Sequence, residues 1–172
     1  MPRARKKPSL TQSYVRKIFA YNDDGHLVWR VRLNRSTQIG DRAGTTFPND
    51  RGYLRVKING WEYAVHRIIY LWHTGEDPQI VDHIDHNRSN NKISNLRAAT
   101  GSNNSWNARL RKDAKVRVKG VTYRPDKPSP WIAELRVKGK RVLHASFKTL
   151  EEAERAVKEA RRIHHRGYHY DG

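Results

Sequence analysis

There is no cysteine among the 172 residues. Disulfides are thereby excluded, as are the Cys-rich zinc sites that brace many small domains, so an apolar core has to hold the fold and no structural zinc is expected. Long apolar runs are missing as well: nothing approaches the roughly 20 residues of a membrane span, and the opening MPRARKKPS has no hydrophobic segment of the signal-peptide kind. The expectation is a soluble, intracellular and cytoplasmic protein with no membrane partner. Acidic residues are the third scarcity, since 17 Asp and Glu face 35 Lys and Arg for a formal charge of +18. Up to Ser105 there are 17 basic and 9 acidic residues (+8), and from Trp106 onward 18 and 8 (+10). Both halves are basic, which favours a long polyanion tracked by the whole chain over a single basic tail. Residues 1–9, with Arg3, Arg5, Lys6 and Lys7, suit a short phosphate-touching arm.

What is present follows a legible order. Leu10 to Phe19 has helical apolar spacing with Thr11 placed to cap, and Asn22 to Gly25 breaks it. His26 to Leu33 and Tyr53 to Ile58 alternate like strands, Asn59-Gly60 is a tight-turn dipeptide, and Trp61 to Val65 returns. Arg67 to His73 reads as a short buried helix ended by Thr74, Gly75 and Pro78. A brief strand, Gln79 to Asp82, follows, then a polar turn at Asn87 to Asn91, a returning strand Asn95 to Ala99, and a helix capped by Thr100 from about Gly101 to Lys112.

This strand, loop, strand, helix order carries the segment DHIDHNRSNNKISNLRAATGSNNSWN over residues 82 to 107. A carboxylate and a carboxamide are hard oxygen donors for a divalent cation, and an imidazole beside them can take a proton from an attacking water. Asp82, His83 and Asn104 supply those groups, with Asn95 twelve residues after the His. The pattern predicts one-metal phosphodiester hydrolysis. His66, sixteen residues before Asp82, is a further site candidate, while Asp85 and His86 read as solvated loop residues.

The same segment resembles the HNH motif of the ββα-metal endonucleases, and GYLRVKINGWEYAVHRIIYLWHTG ahead of it is similar to the lead-in of bacteriophage-type HNH proteins. The resemblance covers about Leu10 to Asn107 and defines an expected nuclease domain at 10–107. It implies that Asp82 and Asn104 ligate the cation, that His83 is the general base, and that Asn95 orients the loop or the His ring. Asp at the first ligand position, where colicin-type relatives have His, points to one Mg²⁺ or Mn²⁺ per site. Products with 5′-phosphate and 3′-hydroxyl ends are implied too.

Residues 108–118 read as a basic helix end and linker, in which Arg109 and Arg111 join Arg97 as expected DNA contacts. From 119 to 172 a separate module is expected. Lys119 to Arg124, Trp131 to Lys138 and Arg141 to Phe147 form three alternating runs with a tight turn at Gly139-Lys140, and Thr149 caps a helix to about His165. The runs KGVTYRP, WIAELRV and RVLHASFKTLEEAERAV resemble the plant ethylene-response-factor DNA-binding domain. That resemblance implies DNA contacts at Arg124, Glu134, Arg136 and Arg141; Trp131 and Lys138 are added from the basic, aromatic character of the sheet. Thr122 and Leu143 depart from the plant pattern, so base specificity does not transfer.

Together these readings give an α+β protein with a ββα-metal nuclease domain followed by a three-stranded antiparallel sheet on one helix. The expected activity is a homing-type, DNA-nicking endonuclease of a bacterial or phage-infected cell, acting as a monomer on double-stranded DNA. A catalytically inactive DNA-binding regulator and a structured-RNA binder are the alternatives.

Overall fold

The computed structural model describes residues 6–47, 51–101, 110 and 114–165. The chain divides into two compact units, Met1–Ala99 and Thr100–Gly172. Both mix helix with small antiparallel sheets.

In the first unit Thr11 caps α1 (Gln12–Ile18), its hydroxyl accepting from the Tyr14 amide at 3.2 Å. This helix is shorter than the apolar spacing predicts, because Phe19 already belongs to a strand. That strand, β1 (Phe19–Asn22), pairs with β2 (His26–Trp29), and β2 pairs with the two-residue β3 (Arg42–Ala43). Neither β1 nor β3 is legible as a strand from alternation over so few residues. The expected strand to Leu33 stops at Trp29, whose backbone instead exchanges bonds with the loop at Gly40 and Asp41.

A second sheet runs β4 (Thr45–Thr46), β5 (Leu54–Ile58), β6 (Trp61–Ala64). Asn59 and Gly60 join its last two strands with φ of 49° and 85°, the two left-handed residues of a hairpin turn whose twist matches the strands. Helix α2 (Val65–Thr74) follows directly and buries Val65, His66, Ile68, Ile69 and Leu71. The core joins these residues to Val15, Ile18, Phe19, Leu27 and Val56, and extends to Val81 and Leu96. Those last two lie on a third sheet, the hairpin β7 (Ile80–His83) and β8 (Leu96–Ala99). The loop between them closes with a 3-10 turn at Ile93–Asn95.

The β1–β2 hairpin is a buttress for that loop. The Tyr21 hydroxyl accepts from the Ile93 amide at 3.1 Å. Gly25, at φ 85°, approaches the loop so closely that a Cβ there would stand 2.6 Å from the Lys92 nitrogen and 2.9 Å from the Asn91 carbonyl carbon.

In the second unit β9 (Val121–Tyr123), β10 (Trp131–Val137) and β11 (Lys140–Phe147) form an antiparallel sheet in the order β11-β10-β9. Helix α3 (Leu150–His165) packs on one face through Ala153 and Val157 against Val118, Val121 and Ala133. Its start is a reciprocal capping box: the Glu152 amide donates to Thr149 Oγ1, and the Glu152 carboxylate accepts from the Lys148 and Thr149 amides, each at 3.2 Å. The tight turn is Lys138-Gly139, with φ of 49° and 78°, one residue earlier than the sequence suggests. Gly139 could serve as the first central residue of a tight turn or as the second, and the pairing of Val137 with Lys140 makes it the second.

Replacing Gly25 by Ala combines a strained φ with a backbone clash that no side-chain rotation relieves. We expect a loss of about 1–3 kcal/mol, read as a lowered thermal midpoint.

Candidate active site

His83 is the last residue of β7, and the strand's two-residue period sends it and Asp82 to opposite faces of the hairpin. On one face His83 is 4% exposed, and its Nε2 lies 2.9 Å from Asn91 Oδ1. An amide oxygen only accepts, so that bond puts the ring proton on Nε2 and the lone pair of the neutral imidazole on Nδ1. On the other face Asp82 pairs with its cross-strand neighbour Arg97, whose Nη2 and Nε reach Asp82 Oδ2 at 3.1 and 3.3 Å. Both side chains are largely covered, which makes this pair stronger than an exposed one. Arg97, expected at the DNA, is thus paired with this carboxylate.

Asn95 organises the loop. Its Nδ2 donates to Asp85 Oδ1 and to the Asn90 carbonyl, each at 2.8 Å, and its Oδ1 accepts from the Asp85 amide at 3.1 Å. Of the two roles foreseen for Asn95, the geometry realises the loop, while the His ring belongs to Asn91. Asp85 is an exposed loop residue, as expected, and its carboxylate also accepts from the Asn87 amide and from Asn90 Nδ2, at 2.8 and 2.7 Å. Burial works to raise its pKa, and the hydrogen bonds from Asn90, the Asn87 amide and Asn95 outweigh it, holding the carboxyl below its ordinary range. His86 departs from the same expectation, being half-buried with a left-handed φ of 61°.

Two rings, those of His66 and Tyr53, cluster with the imidazole. The His66 ring centre is 5.0 Å from that of His83, and the Tyr53 ring lies 5.2 Å from His66 and 5.9 Å from His83. The Arg88 guanidinium covers Tyr53 at 4.9 Å and donates to the Arg51 carbonyl at 2.9 Å. His66 is 9% exposed, and its pKa is lowered to about 3, by burial first and then by the charges of His83, Arg67 and Arg55. Sequence reasoning missed Asn91 and Tyr53. The double Asn at 90 and 91 is the one signal that bears on the former, and nothing in the local pattern marks the latter.

Asn104, Arg109 and Arg111 lie outside the described residues. Among those described, no three His, Asp or Glu side chains gather to hold a metal ion. The described donor is the Asp82 carboxylate, a hard oxygen of the kind that Mg²⁺ takes one or two of while keeping several waters. It fits a hard divalent cation and leaves the remaining positions to water, substrate and residues beyond Gly101.

In the second unit the outer face of β10 and β11 carries Glu134 between three bases. Its Oε1 is 2.7 Å from Arg136 Nε and 3.8 Å from Arg141 Nε, and its Oε2 is 3.4 Å from His144 Nδ1. The Arg136 hydrogen bond, followed by the charges of Arg141 and His144, lowers the Glu134 pKa. Two of the expected contacts sit elsewhere. Trp131 packs on the helix side with the core and stacks 4.6 Å from Tyr123, because it shares the pleat phase of Ala133 and Leu135. Lys138 is in the turn, out of the strand alternation that would align it with Arg136. Arg124 is exposed just past β9, its amide bonded to the Pro130 carbonyl at 2.7 Å.

Residues 63–106 match the family model described as HNH endonuclease. The match is central in the chain and spans β6, α2 and the β7–β8 hairpin. It supports a nuclease, a hydrolase acting on nucleic acid, and HNH nucleases generally depend on a divalent metal ion. No curated protein and no solved structure matches the chain. Among the described residues no helix is long and apolar enough to cross a membrane.

The state of His66 has a consequence for stability. Its folded pKa lies below the unfolded value of 6.5, so its contribution is complete above about pH 6.5 and erodes as pH falls toward 3. Thermal midpoints measured from pH 7 down to pH 4 should fall less for His66→Phe than for the unsubstituted protein.

Proposed function

We propose that the protein is a metal-dependent DNA endonuclease of the homing type, in which His83 is the general base and the second unit holds the duplex. The observation that carries this reading is the buried imidazole of His83, inside the HNH-matched segment, with its proton held on Nε2 by Asn91. Nδ1 is then the atom that takes a proton from the attacking water. Asn91 keeps the tautomer, and Asn95 keeps the loop that carries Asn91.

Asp82 and Asn104 would hold one Mg²⁺ or Mn²⁺, which supplies stabilisation of the charge that develops on the phosphate and the 3′ oxygen. Because Asp82 and His83 leave β7 on opposite faces, the scissile phosphate lies across the end of the hairpin, where both can reach it. Arg97 keeps the Asp82 carboxylate oriented from the neighbouring strand. One such site acts on one strand, so the monomer nicks and leaves 5′-phosphate and 3′-hydroxyl ends.

The second unit recognises DNA in the manner its resemblance to the ethylene-response-factor domain suggests. Glu134 holds Arg136 and Arg141 on the sheet face opposite α3, and guanidinium forks on such a face suit phosphates and guanine edges in a major groove. Arg124 and Lys138 add charge at the margins of that face.

Supercoiled plasmid with Mg²⁺ tests the chemistry. His83→Ala should lower the nicking rate roughly 10²- to 10⁴-fold, and Asn91→Ala roughly 10- to 100-fold, with DNA binding retained. Cleavage unchanged by His83→Ala would reject the reading, and linear product without a nicked precursor at low protein would reject the nicking monomer. Duplex binding tests the second unit: Arg136→Ala with Arg141→Ala should weaken affinity and make the dependence of log Kd on log salt shallower by about two phosphate contacts.

A further inference from the structure

His66 has no assigned task in this scheme, yet its surroundings are unusual for a packing residue. The residue is nine-tenths covered, and among the described residues neither ring nitrogen has a hydrogen-bond partner. Nδ1 is sealed from solvent as well. Buried polar groups are nearly always paired, and an orphaned N–H is rarer than an orphaned lone pair. The uncharged ring therefore keeps its lone pair on Nδ1 and its proton on Nε2. That leaves on Nε2 a donor that no described protein group accepts and that is not sealed from solvent, on a ring whose centre is 5.0 Å from the catalytic imidazole.

We propose that His66 is a second catalytic residue, an uncharged donor whose Nε2–H bonds an oxygen of the scissile phosphate when DNA is bound. This rests on the assignment of His83 as the base. A phosphate placed for attack beside His83 brings anionic oxygens into the neighbourhood of His66, and an oxygen accepts what no protein group accepts. An uncharged donor also suits the position: a second cation against His83 would oppose proton transfer to it, while an N–H bond strengthens as charge builds on phosphate oxygen. Burial and the charges of His83, Arg67 and Arg55 keep the ring in that form throughout the neutral range. The Tyr53 ring, 5.2 Å away, fixes its plane from the flank.

The test compares His66→Phe with His66→Gln and the unsubstituted protein, with His83→Ala as control, in single-turnover nicking of supercoiled plasmid under saturating protein and Mg²⁺. Phe keeps the ring and loses the donor, whereas Gln restores an N–H. The expected result is a rate lowered roughly tenfold to a hundredfold for Phe, partly recovered in Gln, with the affinity for DNA measured without divalent ions unchanged. A Phe variant that melts normally and cuts at the full rate, or Gln and Phe cutting equally slowly, overturns the proposal. If Phe fails to fold, His66→Gln against the similarly sized His66→Met makes the same comparison: Gln faster supports the donor, and equal rates overturn it. An inactive His83→Ala beside an unimpaired His66→Phe rejects this inference alone, while an active His83→Ala rejects the nuclease assignment beneath it.

Discussion

The Asn95 carboxamide uses both of its ends, accepting from the Asp85 amide and donating to the Asp85 carboxylate and the Asn90 carbonyl. Ten residues of chain are drawn together by one side chain that is itself buried at the base of β8. Asn90 is clasped by it, which delivers the adjacent Asn91 to His83, and the Asn91 oxygen decides where the imidazole proton resides. The chemistry of the proposed base is therefore settled two residues removed from the ring, by amides that neither titrate nor exchange their polarity. Such indirect holding is common around reactive imidazoles, because a ring free to turn would spend much of its time with the wrong nitrogen forward.

A good part of this was legible from residues alone. The Asp-His and Asn-Leu-Arg groups stood at the ends of two short strands joined by a polar loop, and β7 and β8 fall at those places. Apolar spacing located α1, α2 and α3, and turn dipeptides located the β5–β6 hairpin and, one residue out, the β10–β11 hairpin. The illegible parts share a cause. β1, β3 and β4 are two to four residues long, too short for any period to register. Tyr53 reaches the site from another sheet, and Asn91 belongs to a run of polar residues in which each looks like its neighbour. Trp131, an aromatic in a basic strand, shares the strand phase of Ala133 and Leu135 and is partly buried against the core of the second unit. Arg97, whose charge suggested a polyanion, has a carboxylate as its cross-strand partner.

The excess of positive charge is handled differently in the two units. In the second, one carboxylate, Glu134, is surrounded by three bases and holds two guanidinium groups by a single oxygen. In the first, burial, with the nearby charges of Arg67 and Arg55 added to it, keeps His66 uncharged.

The close approach of Gly25 to the Asn91–Lys92 backbone also bears on how this molecule can be altered. Turns at a surface are ordinarily the most forgiving places to lengthen a chain or splice in a tag. Gly60 and Gly139 fit that description, since a side chain at either would meet nothing within 4 Å. The Asp23–Gly25 turn looks the same in sequence but acts as a spacer block behind the reactive loop, and even one added residue there would be transmitted to the imidazole.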